Sequence, residues 1–179
     1  MQRFPLLPVE EDGRLHDPKL RENFIEIIFT LKRWRAMLDK GNSAGNLVDF
    51  PPRHKLLIMA HSPEVYRQMG KLVARAGKTD IDKLYGDYLA LLIKGLRLKT
   101  TVAKNVNVLQ HGLGYFKKQL SADEKQEMLT VIENYRKQLT PLIVPTTLLN
   151  HYVRKYRQPY LQQQVYLNPH PIELSLGNH

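Results

Sequence analysis

The sequence has no cysteine among its 179 residues. That excludes disulfides, cysteine-bound zinc, iron–sulfur ligation and thiol catalysis within this chain. No apolar run approaches the roughly 20 residues of a membrane span. The N-terminus has no basic segment followed by a long apolar one, so no secretory signal is read. A cytoplasmic protein that does not enter a membrane is the expectation. Strict apolar–polar alternation, the mark of a half-buried strand, is missing throughout. So are internal repeats and the GxSxG, HExxH, Walker and GxGxxG patterns. No catalytic residue, metal site or resident cofactor is therefore assigned.

Carboxylates are scarce where cations are not. The chain carries 27 Lys and Arg against 17 Asp and Glu, a net charge of +10. Residues 1–50 hold 8 of each sign, residues 51–119 hold 13 basic and 4 acidic, and residues 120–179 hold 6 and 5. Nearly all the excess sits in the middle, and no carboxylate occurs between Asp87 and Asp123. A field of one sign attracts polyanions, and nucleic-acid backbones are the commonest of these. A soluble basic surface without a specific partner would have the same composition. The 42% hydrophobic content is enough for a folded domain with its own core.

What is present reads as helices. Residues 1–16 are rich in proline and acidic residues and read as a linker or strap, with a helical domain over 17–179. Asp17-Pro18 is an N-cap followed by proline at the first helical position. Leu20, Phe24, Ile27, Ile28, Leu31, Trp34 and Leu38 then share a face, and Gly41 suits a C-cap. Residues 41–46 read as a loop. Pro51-Pro52 argues against an unbroken helix, so a turn and a short helix from Arg53 to Ala60 are expected. Ser62-Pro63 opens the next helix, which Gly77 would end. Asp80 to Leu98 is another, with Leu84, Tyr88, Leu91 and Leu92 inward. Ser121 and Glu124 form a capping box ahead of a helix with Leu129, Ile132 and Tyr135 inward, ending near Leu139. Pro141 and Pro145 precede a helix through Tyr156. After a helical turn, the remainder reads as an irregular tail. The class is all-α, a single compact multi-helix domain.

The stretch from Thr101 to Leu120 organises the reading. Val102, Val106, Leu109, Leu113, Phe116 and Leu120 recur at helical spacing and form an apolar stripe. Lys104, Asn107, His111, Gly114 and Lys118 lie opposite, with Gln110 and Lys117 at the edge. Gly112 and Gly114 each cost about 1 kcal/mol against alanine in a helix. They admit either a neighbouring helix or a nucleic-acid backbone. Lys104, Lys117 and Lys118 suit phosphates, while Asn107, Gln110 and His111 suit base edges or sugar hydroxyls. The same amides could instead satisfy carbonyls of nearby loops or stand in water.

Arg53, His54 and Lys55 form a second basic group, joined by His61 seven residues on. That spacing is too long for two imidazoles to share a metal ion, so phosphate contact by Arg53 and Lys55 is the simpler reading. Arg67, Arg154 and Lys155 rank behind these. Tyr115, Tyr152, Tyr156, Tyr160 and Tyr166 lie near basic or amide residues and could stack unpaired bases. At helical spacing Tyr152 and Tyr156 fit better as core-edge residues.

Several separated blocks resemble one family. DFPPRHKLLIMAHSPEVYRQMGKLVA (49–74), NVNVLQHGLGYFKKQLSADEKQEML (105–129), ENYRKQLTPLIVPTTLLNHYVRKY (133–156) and PYLQQQVYLNPHPIEL (159–174) occur in the order of the YbgA-like domain family. The resemblance covers residues 24–176. The preceding RFPLLPVEEDGRLHDPKLRENF (3–24) looks like the joint in two-domain RudS-type proteins, where a TudS-like desulfidase domain precedes a YbgA-like one. A chain starting inside that joint would be an excised C-terminal domain. Such proteins remove sulfur from 4-thiouridine in tRNA, with an iron–sulfur cluster in the TudS-like half. The resemblance therefore implies a tRNA-binding accessory domain, without a cofactor of its own, that presents tRNA to a linked desulfidase. Two readings of another kind stay open: a small hydrolase using His54 or His111 with Glu64 or Asp87, and a protein-binding adaptor.

Overall fold

The computed structural model describes residues 8–77 and 80–168. Among them are eight α-helices, three 3-10 turns and no strand, so the class is all-α. The helices are α1 (Pro18–Leu38), α2 (Ala44–His61), α3 (Pro63–Val73), α4 (Ile81–Leu96), α5 (Val102–Leu113), α6 (Ala122–Arg136), α7 (Ile143–Lys155) and α8 (Pro159–Gln162). Part of the expected strap, residues 1–7, and part of the expected tail, residues 169–179, lie outside the described residues. Asp12–His16 of the strap forms a 3-10 turn.

Helix starts follow their capping residues. Asp17 accepts from the Leu20 amide at 3.3 Å, Ser62 Oγ from Val65 at 3.2 Å and Asp80 from Lys83 at 2.9 Å. Thr101 accepts from Lys104 at 3.3 Å, and Ser121 and Glu124 complete the capping box in both directions. Each supplies a partner to an amide that the helix leaves open. Gly41, with φ of +94°, closes the turn after α1 by donating to the Leu38 carbonyl at 2.8 Å.

In the core Trp34 stacks on Tyr88 with centroids 5.4 Å apart and takes Phe50 edge-on at 5.3 Å. Leu47, Leu56, Leu84, Leu92, Leu96, Leu109 and Leu149 are fully buried in the same core. Each such leucine contributes about 1.5–3 kcal/mol through the area it removes from water. Two faces differ by one residue from the expected register. Met128, not Leu129, is buried on α6, and Ile28 on α1 is 40% exposed. Ends also differ. The helix from Ser62 stops at Val73, α6 stops at Arg136, and α5 stops at Leu113 and tightens into the 3-10 turn Gly114–Phe116. Gly112 serves packing: a Cβ there would come within 2.9 Å of Leu149 Cδ2 on α7.

The largest correction concerns Pro51-Pro52. The helix does not break there but begins at Ala44, inside the expected loop, and runs through both prolines. Its support comes from far along the chain. Gln164 Nε2 donates to the Pro52 carbonyl at 2.7 Å, and Gln164 Oε1 accepts from the Leu56 amide at 3.2 Å. Those are the two groups that one turn of α-helix would join directly. Gln164 is 2% exposed, and Leu161, Tyr166 and Leu167 around it are buried too. The chain after Tyr156 is thus part of the core up to Leu167, not an irregular tail.

Replacing Gln164 by Ala leaves both α2 groups without their amide partner. The expected loss is about 1–3 kcal/mol, the two hydrogen bonds of the bridge, less whatever the Pro52 carbonyl and the Leu56 amide regain by pairing with each other. Urea unfolding of the wild type and Gln164→Ala measures it; equal midpoints would show that α2 tolerates its prolines unaided.

Candidate nucleic-acid interface

The thirteen residues picked out by sequence divide into four situations. Arg53, Asn107, Gln110, Lys117, Lys118 and Arg154 are exposed. Arg53, Lys117, Lys118 and Arg154 have no ion-pair partner among the described residues. Asn107 and His111 are four apart on α5 and so lie one above the other on its surface. The turn carrying Lys117 and Lys118 reaches the end of α7, where Gln119 Nε2 donates to the Tyr156 carbonyl at 3.5 Å. That brings it beside Arg154, Lys155 and Arg157. Arg157 holds a left-handed φ of +48°.

Three of the cations are engaged. Arg67 pairs with Glu64 at 2.6 Å and Lys155 with Glu124 at 2.6 Å. Lys104 Nζ donates to the His61 carbonyl at 2.7 Å and the Lys99 carbonyl at 2.9 Å. It satisfies the C-terminal end of α2, where a cation also meets the negative end of the helix dipole. Lys104 is thus a helix cap before it is a phosphate contact.

His54 and His61 are interior residues, 2% and 0% exposed. The His61 ring faces two acceptors, the Leu98 carbonyl at 2.7 Å and a Glu26 carboxylate oxygen at 3.2 Å. His54 lies flat on Phe50 with centroids 3.9 Å apart. Its Nδ1 donates to the Phe50 carbonyl at 3.0 Å, and its Nε2 accepts from Arg33 Nε at 3.3 Å. A carbonyl only accepts and a guanidinium only donates, so the bonds select the neutral ring. Neither imidazole reaches the surface. Asn105 is likewise interior, 4% exposed, between the hydroxyls of Tyr135 at 3.2 Å and Tyr166 at 3.0 Å. Tyr152 and Tyr156 are core-edge residues whose hydroxyls donate to Glu127 at 2.8 Å and Glu124 at 2.7 Å.

Lys55 and His111 belong to a half-buried polar cluster assembled from four elements. Lys55 Nζ on α2 stands 6.0 Å from the ring centroid of Tyr66 on α3. His111 on α5 meets Tyr115 edge-on at 5.5 Å, and Tyr115 stacks on Tyr160 of α8 at 4.8 Å. Burial lowers the His111 pKa, and the nearby Lys55 ammonium lowers it further. Burial raises Tyr66 and Tyr160, with Tyr115 adding to both. Tyr66 is a member that sequence reasoning missed. Nothing local marks it, because its neighbours come from other helices.

The fold is that of a small all-α domain that exposes several unpaired Lys and Arg side chains and has no helix, among the described residues, long and apolar enough to cross a membrane. The chain belongs to the YbgA-like family: residues 55–171 match the family described as a protein of unknown function (DUF1722). It is 30% identical over 150 residues to the uncharacterized protein YbgA of Escherichia coli (strain K12), covering 83% of this chain and 89% of that protein. No solved structure matches it. The resemblance carried by the four sequence blocks is therefore a true family relationship.

Burial is the main cause of a His54 pKa lowered to about 4; the Phe50 carbonyl opposes it, and Arg33 and Arg53 add to it. Between pH 6.5 and 4 the unfolded chain takes up a proton that the folded one refuses, so stability falls as pH falls through that window. The expected loss by pH 4 from this ring is about 3 kcal/mol. Urea midpoints at pH 7 and pH 4 should separate further for the wild type than for His54→Gln by that amount. Equal losses would assign the proton uptake to other groups.

Proposed function

We propose that this domain binds tRNA and presents 4-thiouridine-containing tRNA to a linked TudS-like desulfidase, whose iron–sulfur cluster lies outside this chain. One observation carries the reading. The carboxylate-free run from Tyr88 to Ala122 supplies exposed Lys117 and Lys118 beside the basic end of α7, on the same helix-turn unit as exposed Asn107 and Gln110. Cations without carboxylate partners keep their charge available to phosphates. Exposed amides beside them add directed hydrogen bonds. Arg53 and Arg154 extend the cationic set. The desulfidase partnership rests on family resemblance alone.

The hydrolase reading loses its His54–Glu64 form: His54 is sealed with both ring nitrogens occupied, and Glu64 is bonded to Arg67 and Gln68.

Binding to tRNA is expected to weaken steeply with salt, log K falling by about 0.7–0.9 per phosphate contact per decade of salt. Electrophoretic titrations at several salt concentrations give the slope, and a flat line would remove phosphates from the interface. The double variant Lys117→Glu, Lys118→Glu should keep the wild-type helical circular dichroism and bind tRNA at least tenfold more weakly. Wild-type affinity in a folded double variant would take the 114–120 turn out of the interface.

A further inference from the structure

The half-buried cluster around His111 has an unanswered polar atom. His111 Nε2 is buried and has no hydrogen-bond partner. The hydroxyl of Tyr88, a residue fully buried in the core, is also without a partner. Buried polar groups are nearly always bonded, and an orphan calls for a water, an ion or a ligand atom. The groups around these two are of one kind. Lys55 supplies an ammonium, His111 a ring nitrogen, and Tyr66, Tyr115 and Tyr160 phenolic hydroxyls. The charges acting on Tyr66, Tyr88, His111 and Tyr160 are Lys55 and the other phenols, with no carboxylate among them. A donor-rich, carboxylate-free cluster that includes one cation is suited to an oxyanion.

We infer that Lys55, Tyr66, His111, Tyr115 and Tyr160 form a seat for one phosphate group, which in the bound state is a phosphodiester of the RNA. The seat itself is argued from these residues, while the RNA as carrier of the phosphate rests on the proposed function. Phosphate suits the cluster better than a carboxylate does. It offers more oxygens to separate donors, and lysine serves it as a point charge, whereas a carboxylate is best matched by the arginine fork. The stacked pair Tyr115 and Tyr160 holds its rings in place, so their hydroxyls lose little freedom on binding. Lys55 has the flexible stem in the group and brings the one ammonium.

The test uses the full chain and two probes, inorganic phosphate and tRNA, followed by NMR of the histidine rings at constant ionic strength. Phosphate should shift the His111 resonances saturably where chloride does not. It should also raise the His111 pKa, since a bound anion favours the imidazolium. The double variant Tyr115→Phe, Tyr160→Phe keeps both rings and so keeps the fold. It should bind phosphate about tenfold or more weakly, through the loss of hydrogen bonds to a charged ligand. Adding tRNA should displace the phosphate. No saturable shift at His111, or the same affinity in the double variant, overturns the seat. A seat that binds phosphate but does not yield it to tRNA overturns RNA as the carrier and leaves the seat standing. A tRNA complex in which the His111 resonances stay as they were also overturns RNA as the carrier, while tRNA binding by the domain stands.

Discussion

One side-chain amide holds the middle of this molecule to its end. Gln164 spans the Pro52 carbonyl and the Leu56 amide, 112 and 108 residues away along the chain. Two adjacent prolines remove two helix donors and set their rings against the preceding turn. Without outside support α2 would be a natural place to bend or fray. The amide braces the turn that follows the prolines, because its carbonyl and its NH2 reach the two groups that a helical hydrogen bond would join there. The consequences reach past α2. Arg53, His54 and Lys55 lie on the bridged turn, so their directions are fixed by a residue that follows α8.

Most helix starts were legible, α2 after Ser43 being the exception, and most helix ends were not, for a physical reason. A cap is a contact between residues two or three apart, so Asp17, Ser62, Asp80, Thr101 and Ser121 declare themselves in one dimension. An end is decided by what the next segment packs on. Gly77 looked like a stop, but α3 ends at Val73. The apolar stripe from Val102 to Leu120 suggested one helix. Phe116 does reach the core, but through a 3-10 turn after α5, which tightens the chain without losing its apolar side. Gln138 and Arg157 close α6 and α7 in the left-handed region where glycine would be expected, so no glycine marked either end. The proline pair was misread because a local rule met a contact from the far end of the chain.

The candidate interface was legible as charge and illegible as geometry. Counting carboxylates located the cationic stretch, and that needs no fold. Sorting its members does. His54 and His111 are each flanked by polar and apolar residues, yet one lies flat against Phe50 in the interior and the other edges a half-buried cluster. Lys104 and Lys118 both look like exposed lysines on a helix. Lys104 instead spends its ammonium on the carbonyls of His61 and Lys99. These differences depend on which helix crosses over the residue. Periodicity on a single helix does not carry that information.

The two kinds of cation imply two different contributions to binding. Lys117 and Lys118 stand in water, where an ion pair is worth little by itself and acts mainly by releasing counterions from a polyanion. That contribution depends weakly on arrangement and would serve any nucleic acid. Lys55 differs because its neighbours are phenols and a buried imidazole nitrogen, partly removed from water and held by packing from α2, α3, α5 and α8. Fewer competing waters make a hydrogen bond there stronger, and fixed rings make it directional. A duplex or strand attracted by the lysines would satisfy that cluster only if a phosphate arrived at the right place relative to the 114–120 turn. In the proposed complex, selection among RNAs of equal charge would be a matter of the distance between phosphates, which is set by RNA shape rather than by base sequence.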